Sequence, residues 1–214
     1  STSPTCPRRT ASPSVAGRAL PPVGVFALQG DVREHVAVLS ALRADVREVR
    51  TPAQLAEVAG LVIPGGESSV MDKLSRLFGL RDPLRERIAA GMPVYGTCAG
   101  LIMLADRVHD AIEGQQTLGG LDVAVRRNAF GTQLDSFETD LAMPVLGDAP
   151  VHAVFIRAPV VDEVGPGVEV LASLADGRIV AVEQGRLLGT SFHPEVAGET
   201  RLHERFLDHV AAAS

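Results

Sequence analysis

The stretch "PVYGTCAGLIMLA", residues 93–105, decides the fold class of this chain. It begins as a short apolar run typical of a buried strand and continues as an apolar helical run, with a cysteine at the junction. Gly96 and Gly100 stand two positions from Cys98 on either side, which gives the pattern G-x-C-x-G. This is the thiol counterpart of the G-x-S-x-G elbow, where glycines let a strand turn sharply into a helix and present a nucleophile. The stretch therefore predicts an α/β unit with a reactive cysteine at its corner.

Strand and helix candidates alternate along the chain around this elbow. Before it, apolar runs predict strands at 23–28, 45–49 and 60–64. Four helices are predicted in the same part: one at 31–43, one that begins at Thr51 and Pro52, one that follows "GGESS" and runs through Leu77, and one that begins at Asp82 and Pro83. After about residue 119, shorter runs predict strands at 121–125, 151–156, 168–174, 179–184 and 187–192, followed by an amphipathic helix at 199–212. Such alternation predicts an α/β fold with a mostly parallel central sheet and helices on both of its faces.

The composition predicts one globular domain preceded by an extension. Residues 1–22, "STSPTCPRRTASPSVAGRALPP", are rich in Ser, Thr, Pro and Arg and have no apolar periodicity, so we expect a flexible N-terminal segment. Residues 23–214 are long enough for a single core and give no reason to expect two. We therefore predict a single domain over 23–214.

Charge and hydropathy exclude two classes of partner and favour one compartment. The formal net charge of −6, with no basic stripe, argues against nonspecific nucleic-acid binding. No apolar run approaches the roughly 20 residues that a membrane-spanning helix needs. Of the two cysteines, Cys6 lies in the predicted extension, so a structural disulfide with Cys98 is a poor expectation. The cysteine content thus favours a location in the reducing cytoplasm.

A histidine and a carboxylate complete a candidate triad with Cys98. His193 follows a predicted strand in "GTSFHPE", where Pro194 stiffens the loop and Glu195 can accept a hydrogen bond from the imidazole. Nucleophile, base and orienting carboxylate are the parts that an activated thiol needs. The remaining histidines are interpreted as surface groups or satisfied packing: His35, His109, His152, His203 and His209.

The loop "PGGESS", residues 64–69, is the candidate oxyanion hole. We expect the backbone N–H of Gly66, beside Gly65, and that of Ala99 to face the developing negative charge. The alternative is a phosphate-binding turn at a helix start, although the loop lacks the lysine of a P-loop. Nothing in the sequence indicates a metal site or a cofactor.

These motifs resemble those of a known family. "GTCAG", "PGGES" and "SFHPE" are similar to the corresponding motifs of class I glutamine amidotransferases, whose triad is Cys–His–Glu. "LQGDVREH" at 28–35, "RRNAFGTQLDSFE" at 126–138 and "VFIRAP" at 154–159 resemble the glutaminase subunits of pyridoxal 5′-phosphate synthases. The resemblance covers about residues 23–212 and implies a flavodoxin-like, three-layer domain.

The resemblance also implies roles for individual residues. Cys98 would be the nucleophile, His193 the general base and acid, and Glu195 its orienting group. The glutamine site would comprise Gly65, Gly66, Glu67, Arg127, Ile156 and Arg157. Position 132, Thr here, is often Arg in such proteins, which affects the expected contacts with the partner more than hydrolysis. The implied partner is a separate synthase (lyase) subunit, which uses the ammonia to make pyridoxal 5′-phosphate from ribose 5-phosphate and glyceraldehyde 3-phosphate.

Two other interpretations stay open at the level of sequence. A sibling glutaminase subunit of histidine, anthranilate or guanylate synthesis would share the triad but not "LQGDVREH" or "VFIRAP". A non-hydrolytic elbow-cysteine protein, a redox sensor or chaperone of the DJ-1 type, would leave "SFHPE" unexplained.

Overall fold

The computed structural model describes residues 19–130 and 136–214 of the chain. Cys6, Thr132 and most of the predicted N-terminal extension lie outside the described residues. Of the first four described residues, 19–22, Leu20 packs against a core of the domain, and the Pro22 carbonyl accepts a hydrogen bond from the Ala59 N–H at 2.8 Å. The boundary predicted at residue 23 stays a prediction.

The described residues form twelve strands and six α-helices. In chain order they are β1 Val23–Phe26, α1 Val32–Ala41, β2 Val46–Val49, α2 Pro52–Ala56, β3 Leu61–Ile63, α3 Ser68–Leu77, α4 Arg81–Ala89, β4 Val94–Thr97, α5 Ala99–Leu104, β5 Ala105–Val108, β6 Leu121–Arg126, β7 Ser136–Leu141, β8 Val151–Ile156, β9 Val160–Val164, β10 Glu169–Ser173, β11 Ile179–Gln184, β12 Leu187–Thr190 and α6 Arg201–Ala213. Short 3₁₀ helices occupy Pro144–Leu146 and Pro194–Val196.

The central sheet has a parallel half and a mostly antiparallel half. Its strand order is β2-β1-β3-β4-β12-β11-β9-β6-β5, with β10 added beside β11. The strands β2, β1, β3, β4 and β12 pair in parallel. From β12 onward the pairings through β11 and β9 to β6 are antiparallel, and β5 lies parallel to β6. The strands β7 and β8 form a separate antiparallel pair.

Two apolar cores lie on opposite faces of this sheet. One core joins the sheet to α2, α3, α4 and α5, through residues such as Leu55, Met71 and Leu84. The other joins it to α1, α6 and the β7–β8 pair, through residues such as Leu39 and Phe206. Because successive strand residues point to opposite faces, Val25 belongs to the second core and Phe26 to the first. The predicted fold class, a mostly parallel sheet with helices on both faces, is confirmed.

Three strands had no counterpart in the sequence prediction: β5, β7 and β9. Along β7, "SFETDL", exposed and half-buried residues alternate and only the last residue is buried. The strand β5, "ADRV", lies at the sheet edge and has two exposed charged residues. A search for apolar runs finds buried strands and misses such strands, since half of their surface remains in water. Among the described residues, no helix is both long and apolar enough to cross a membrane.

Candidate active site

The turn after β4 places Cys98 at a strained backbone position. Cys98 has φ of 52° and ψ of −106°, and α5 begins at the next residue. A Cβ on Gly96 would lie 2.5 Å from the Gly100 carbonyl carbon, and a Cβ on Gly100 would lie 2.1 Å from the Ile63 carbonyl oxygen. Both glycines are therefore required by close backbone contacts, the first within the turn and the second against β3. This is the geometry of a nucleophile elbow.

The glycines of the elbow suggest an exposed cysteine, but Cys98 does not lie exposed on the surface. The residue is only 7% exposed. It lies in the wall of a cavity of about 570 Å³, so a ligand reaches it through this cavity. The helix α5 has six residues, which makes its dipole a weaker source of thiolate stabilisation than a charged neighbour would be.

The loop after β12 holds His193 beside the same cavity. The His193 N–H donates to the Val154 carbonyl at 2.8 Å, which anchors this loop to β8. Its ring Nδ1 lies 2.7 Å from Oε1 of Glu195, whose side chain is fully buried. Pro194 and Glu195 belong to a 3₁₀ turn, and this turn folds the carboxylate back onto the imidazole. The geometry is that of a base and its orienting carboxylate.

A second carboxylate contacts the same imidazole, and the sequence prediction did not include it. Asp31, the residue before α1, places Oδ2 at 3.4 Å from Nδ1 of His193. Its position depends on the glycine loop, because a Cβ on Gly65 would lie 3.1 Å from Asp31 Oδ1 and 2.5 Å from the imidazole Cε1. The sequence signal was the spacing "DVREH", which puts Asp31 and His35 four residues apart at the start of one helix.

Electrostatics favour a charged imidazole in this position. Burial lowers the pKa of His193, but its hydrogen bonds with Asp31, the Cys98 sulfur and Glu195 outweigh burial and raise the pKa from 6.5 to about 12. Burial is the main cause that raises the pKa of Glu195 above its ordinary value. The hydrogen bonds of Asp31 overcome its burial and hold the pKa of that carboxyl well below its usual range. An imidazolium beside the sulfur stabilises the thiolate form of cysteine.

Two further histidines form a neutral layer behind these groups. His35 Nδ1 lies 2.8 Å from His203 Nε2, and His35 Nε2 lies 3.1 Å from the Thr97 hydroxyl. Burial lowers the pKa of His35 to about 4 and that of His203 to about 3. Both are buried and tie α1 to α6, and His203 Nδ1 has no hydrogen-bond partner among the described residues. Nearer the surface, His109, His152 and His209 each contact a carboxylate.

One group in this region has the spacing of metal ligands. Asp31, His35 and Glu195 each offer one ligand atom, and these atoms lie within 4.8 Å of one another. His35 Nε2 is hydrogen-bonded to Thr97 and Glu195 Oε1 to His193, so two of these residues already use a possible ligand atom within the protein. Asp31 and Glu195 also both contact Nδ1 of His193, which brings the two carboxylates together at this position.

The glycine loop after β3 is fixed by contacts on both of its sides. The Asp31 N–H donates to the Gly65 carbonyl at 3.2 Å, and the Glu67 N–H donates to Gln29 Oε1 at 2.9 Å. A Cβ on Gly66 would lie 2.2 Å from that Gln29 oxygen. The Glu67 carboxylate accepts from the Ser69 N–H and caps α3. Since a protein carboxylate occupies this helix start, the phosphate-binding alternative loses its site.

The residues predicted to bind glutamine line the cavity that contains Cys98 and His193. They are Gly65, Gly66, Glu67, Arg127, Ile156 and Arg157, and Ala99 lies in the same wall. The Arg127 guanidinium donates to Glu67 Oε1 at 2.8 Å, so a cation and an anion lie side by side in the wall of the cavity that Cys98 also lines. Ile156 contributes its carbonyl oxygen, 3.8 Å from the Cys98 sulfur. The functional roles of these residues stay predictions.

Comparison with known proteins identifies the family. The sequence profile of the SNO glutamine amidotransferase family matches residues 25–212. The chain belongs to this family. It is 69% identical over 187 residues to a protein of Leifsonia xyli subsp. xyli named pyridoxal 5′-phosphate synthase subunit PdxT, covering 87% of this chain and 94% of that protein. A protein of the same name from Clavibacter michiganensis is 67% identical over 193 residues, covering 90% and 92%.

Solved structures agree with the family and with the fold. One described as a glutamine amidotransferase shares 47% identity and a TM-score of 0.83, covering 88% of this chain and 98% of its own. A second glutamine amidotransferase, from Thermotoga maritima, shares the fold at a TM-score of 0.59 and 15% identity, covering 92% of this chain and 86% of its own. The identities favour the PdxT branch over a sibling pathway or a non-hydrolytic elbow-cysteine protein.

Proposed function

We propose that this chain is the glutaminase subunit of a pyridoxal 5′-phosphate synthase, and that it hydrolyses L-glutamine to L-glutamate and ammonia. The observation that carries the proposal is the position of His193, which is hydrogen-bonded to Glu195 at 2.7 Å and shares a cavity wall with the elbow cysteine. Membership of the glutamine amidotransferase family supports this interpretation of the geometry.

The cavity offers the charges that a free amino acid requires. The Arg127 guanidinium suits the α-carboxylate of glutamine, and Glu67 suits its α-ammonium, since the two side chains already form a pair of opposite charge. The loop at 156–157 forms part of the opposite wall and brings the Ile156 carbonyl close to the sulfur. With both ends of the amino acid held, the side-chain amide extends toward Cys98.

The reaction proceeds through a thioester. The Cys98 thiolate attacks the amide carbon, and the backbone N–H groups of Gly66 and Ala99 stabilise the oxyanion. The C–N bond then breaks as the His193 imidazolium gives its proton to the departing ammonia. Acylation removes the negative charge from sulfur, one of the causes that raise the pKa of His193, so the imidazole stays neutral after it has given its proton to ammonia. The neutral imidazole then acts as the base that takes a proton from water. The resulting hydroxide attacks the thioester, releases glutamate and restores the thiolate.

The ammonia is used by a separate subunit. We propose that a synthase (lyase) subunit docks near the carboxyl ends of the parallel strands and converts ribose 5-phosphate and glyceraldehyde 3-phosphate to pyridoxal 5′-phosphate in the cytoplasm. The chain itself is expected to be a poor glutaminase until this partner docks. The Gly65–Gly66 loop is the expected switch, because glycines tolerate the backbone angles of a reoriented peptide. Its reorientation breaks the hydrogen bond from the Asp31 N–H to the Gly65 carbonyl, and docking of the partner has to offset that loss.

The test is a glutaminase assay at saturating glutamine, first on the purified chain alone and then on its mixture with the synthase. We expect glutamate release to rise strongly on addition of the synthase and to require Cys98. Full activity of the isolated chain, unchanged by the partner, would contradict the regulated two-subunit scheme. Absence of glutamate release from the reconstituted complex would contradict the glutaminase activity itself.

A further inference from the structure

The base of the candidate triad contacts two carboxylates instead of one. Glu195 Oε1 lies 2.7 Å from Nδ1 of His193, and Asp31 Oδ2 lies 3.4 Å from the same nitrogen. The two carboxylates come from different parts of the chain, one from the loop before α1 and the other from the 3₁₀ turn after β12. A single N–H therefore faces two acceptors.

Each of these carboxylates also has a second oxygen without a partner. Asp31 Oδ1 and Glu195 Oε2 are both buried, and neither has a hydrogen-bond partner among the described residues. The two carboxyl groups each place an oxygen within the 4.8 Å cluster that also includes His35. Two ionised carboxylates at such a distance repel each other in a poorly solvated site, and one proton held by the pair removes the repulsion. Burial raises the pKa of both carboxyls, and the interaction between them raises the pKa of Glu195 further and lowers that of Asp31, as expected when one carboxyl holds the proton and the other accepts from it.

The surroundings of the pair leave His193 as the adjacent cation. His35 on α1, with His203 of α6 behind it, has a pKa lowered by burial, so this layer is neutral near pH 7. On β4, burial raises the pKa of Tyr95, which also stays neutral. Across the imidazole lies the Cys98 sulfur, and Glu34, Glu67, Arg127 and Arg157 line the same cavity. One net negative charge on the carboxylate pair therefore faces the imidazolium from the side opposite the thiolate.

We propose that Asp31 is a second positioning residue for His193, and that Asp31 and Glu195 act as one pair holding a single proton between them. This proposal deepens the glutaminase function proposed above, since it concerns the same base. It has a specific consequence: because the pair carries one net negative charge, replacing either carboxyl group by its amide leaves that charge in place. Replacing both removes it.

The first experiment measures the thiolate directly and does not depend on glutamine hydrolysis. All variants carry Cys6→Ser, which leaves Cys98 as the single thiol of the chain. The rate of Cys98 alkylation by iodoacetamide is measured against pH for the parent, Asp31→Asn, Glu195→Gln and the double variant. Asp82→Asn is the matched control, since Asp82 is an exposed acid in the first turn of α4 and lies outside the cavity.

We expect each single variant to retain the parent's rate within about threefold near pH 7, and the double variant to lose roughly tenfold more than the product of the two single effects, within the coupling range of contacting residues. The parent profile should also show a titration above the ordinary carboxyl range that each single variant lacks. If the losses in alkylation rate are additive and the pH profiles of the single variants match the parent's, the proposal of a shared proton is wrong. A profile that a metal chelator changes in the parent would also overturn it, because a bound cation would then replace the shared proton.

The second experiment separates positioning from substrate binding. In the reconstituted complex, the double variant should lose turnover number while its KM for glutamine stays within about twofold, since a base acts in the transition state. A large rise in KM for Asp31→Asn with unchanged kcat would instead make Asp31 a ligand of the glutamine ammonium and overturn its positioning role. If the complex releases no glutamate at all, the proposed function fails while the alkylation result still decides the pair.

Discussion

The parallel half of the sheet and the rest of the structure contribute different kinds of residue to the cavity. Cys98 follows β4, His193 follows β12, the glycine loop follows β3, and Asp31 follows β1, all of which are parallel strands. Arg127 follows β6, in the antiparallel half, and Ile156 ends β8 of the separate two-stranded sheet. The groups suited to chemistry thus come from the first region, whereas the glutamine site is divided between the two: Glu67 follows β3, and Arg127 and Ile156 come from the second region.

The difference has a physical origin in how the two regions are built. Parallel strands end at one edge of a sheet, so loops that follow neighbouring strands meet there without further adjustment. Their strands are buried on both faces, which holds the loop ends rigidly. The second region reaches the cavity through the ends of more exposed strands, where a substrate contact can vary while the catalytic geometry stays constant. The predictions below test this division.

The largest effect is expected for Cys98→Ala, which should abolish glutamine hydrolysis by the complex. No other group in the proposed mechanism can form the thioester. The fold should persist, since the change removes one sulfur atom at a cavity wall. Glutamate release is measured beside circular dichroism and synthase binding, and a variant with near-parental turnover would remove the triad argument.

His193→Ala should lower turnover by about a hundredfold or more, in line with the contribution of general acid–base catalysis. The matched control is His152→Ala on the β7–β8 pair, where the histidine is half exposed and contacts Asp140 and Glu138 at 2.9 Å. The His152→Ala control should leave the steady-state turnover unchanged. Equal losses of turnover in the two variants would contradict the proposed division of roles between the two regions and would assign the base to another group.

Arg127→Met should raise the KM for glutamine while kcat changes less. Loss of a charged hydrogen bond to the substrate carboxylate is worth about 1.5–3 kcal/mol, which corresponds to roughly 10- to 150-fold in KM. The neighbouring Arg126 supplies the control, because its guanidinium pairs with Asp162 at 3.0 Å and lies outside this cavity. A loss confined to kcat would indicate that Arg127 acts in catalysis and not in the binding of glutamine.

The smallest effect on activity is expected for Glu183→Gln, which instead tests stability in the antiparallel half. Glu183 on β11 accepts two hydrogen bonds at 2.6 Å from Arg205 of α6 and contacts His209. Burial raises the pKa of Glu183, but these partners outweigh it and lower the pKa from 4.5 to about 2. The carboxylate therefore stabilises the fold above pH 4.5, and this contribution is lost as the pH falls toward 2.

Urea unfolding of parent and variant at several pH values measures that contribution. We expect the variant to be about 2 kcal/mol less stable at pH 7, from the loss of charged hydrogen bonds. The difference between the two proteins should shrink as the pH falls from 4.5, and glutaminase activity at pH 7 should match the parent. A pH-independent difference would assign the effect to packing and not to charge.

Local sequence signals were sufficient where the structure depends on neighbouring residues. Thr51 caps α2 through a hydrogen bond from the Gln54 N–H, with Pro52 in the first turn, as the pattern predicted. The elbow is similarly local, because G-x-C-x-G encodes the turn and its cysteine together. The start of α4 differed by one residue, since Arg81 already has helical geometry before Asp82 and Pro83.

What the sequence determined by itself was the layered α/β fold, the position of the elbow, and the set of residues that could form a cysteine–histidine–carboxylate site. Only the tertiary structure decided that Asp31 faces His193, that Gly100 must be glycine because β3 lies against it, and that Cys98 is reached through a cavity. The reason is that these facts depend on distances between loops far apart in the chain. Periodicity and spacing report on neighbours along one element, whereas the pairing of strands sets which loop ends meet.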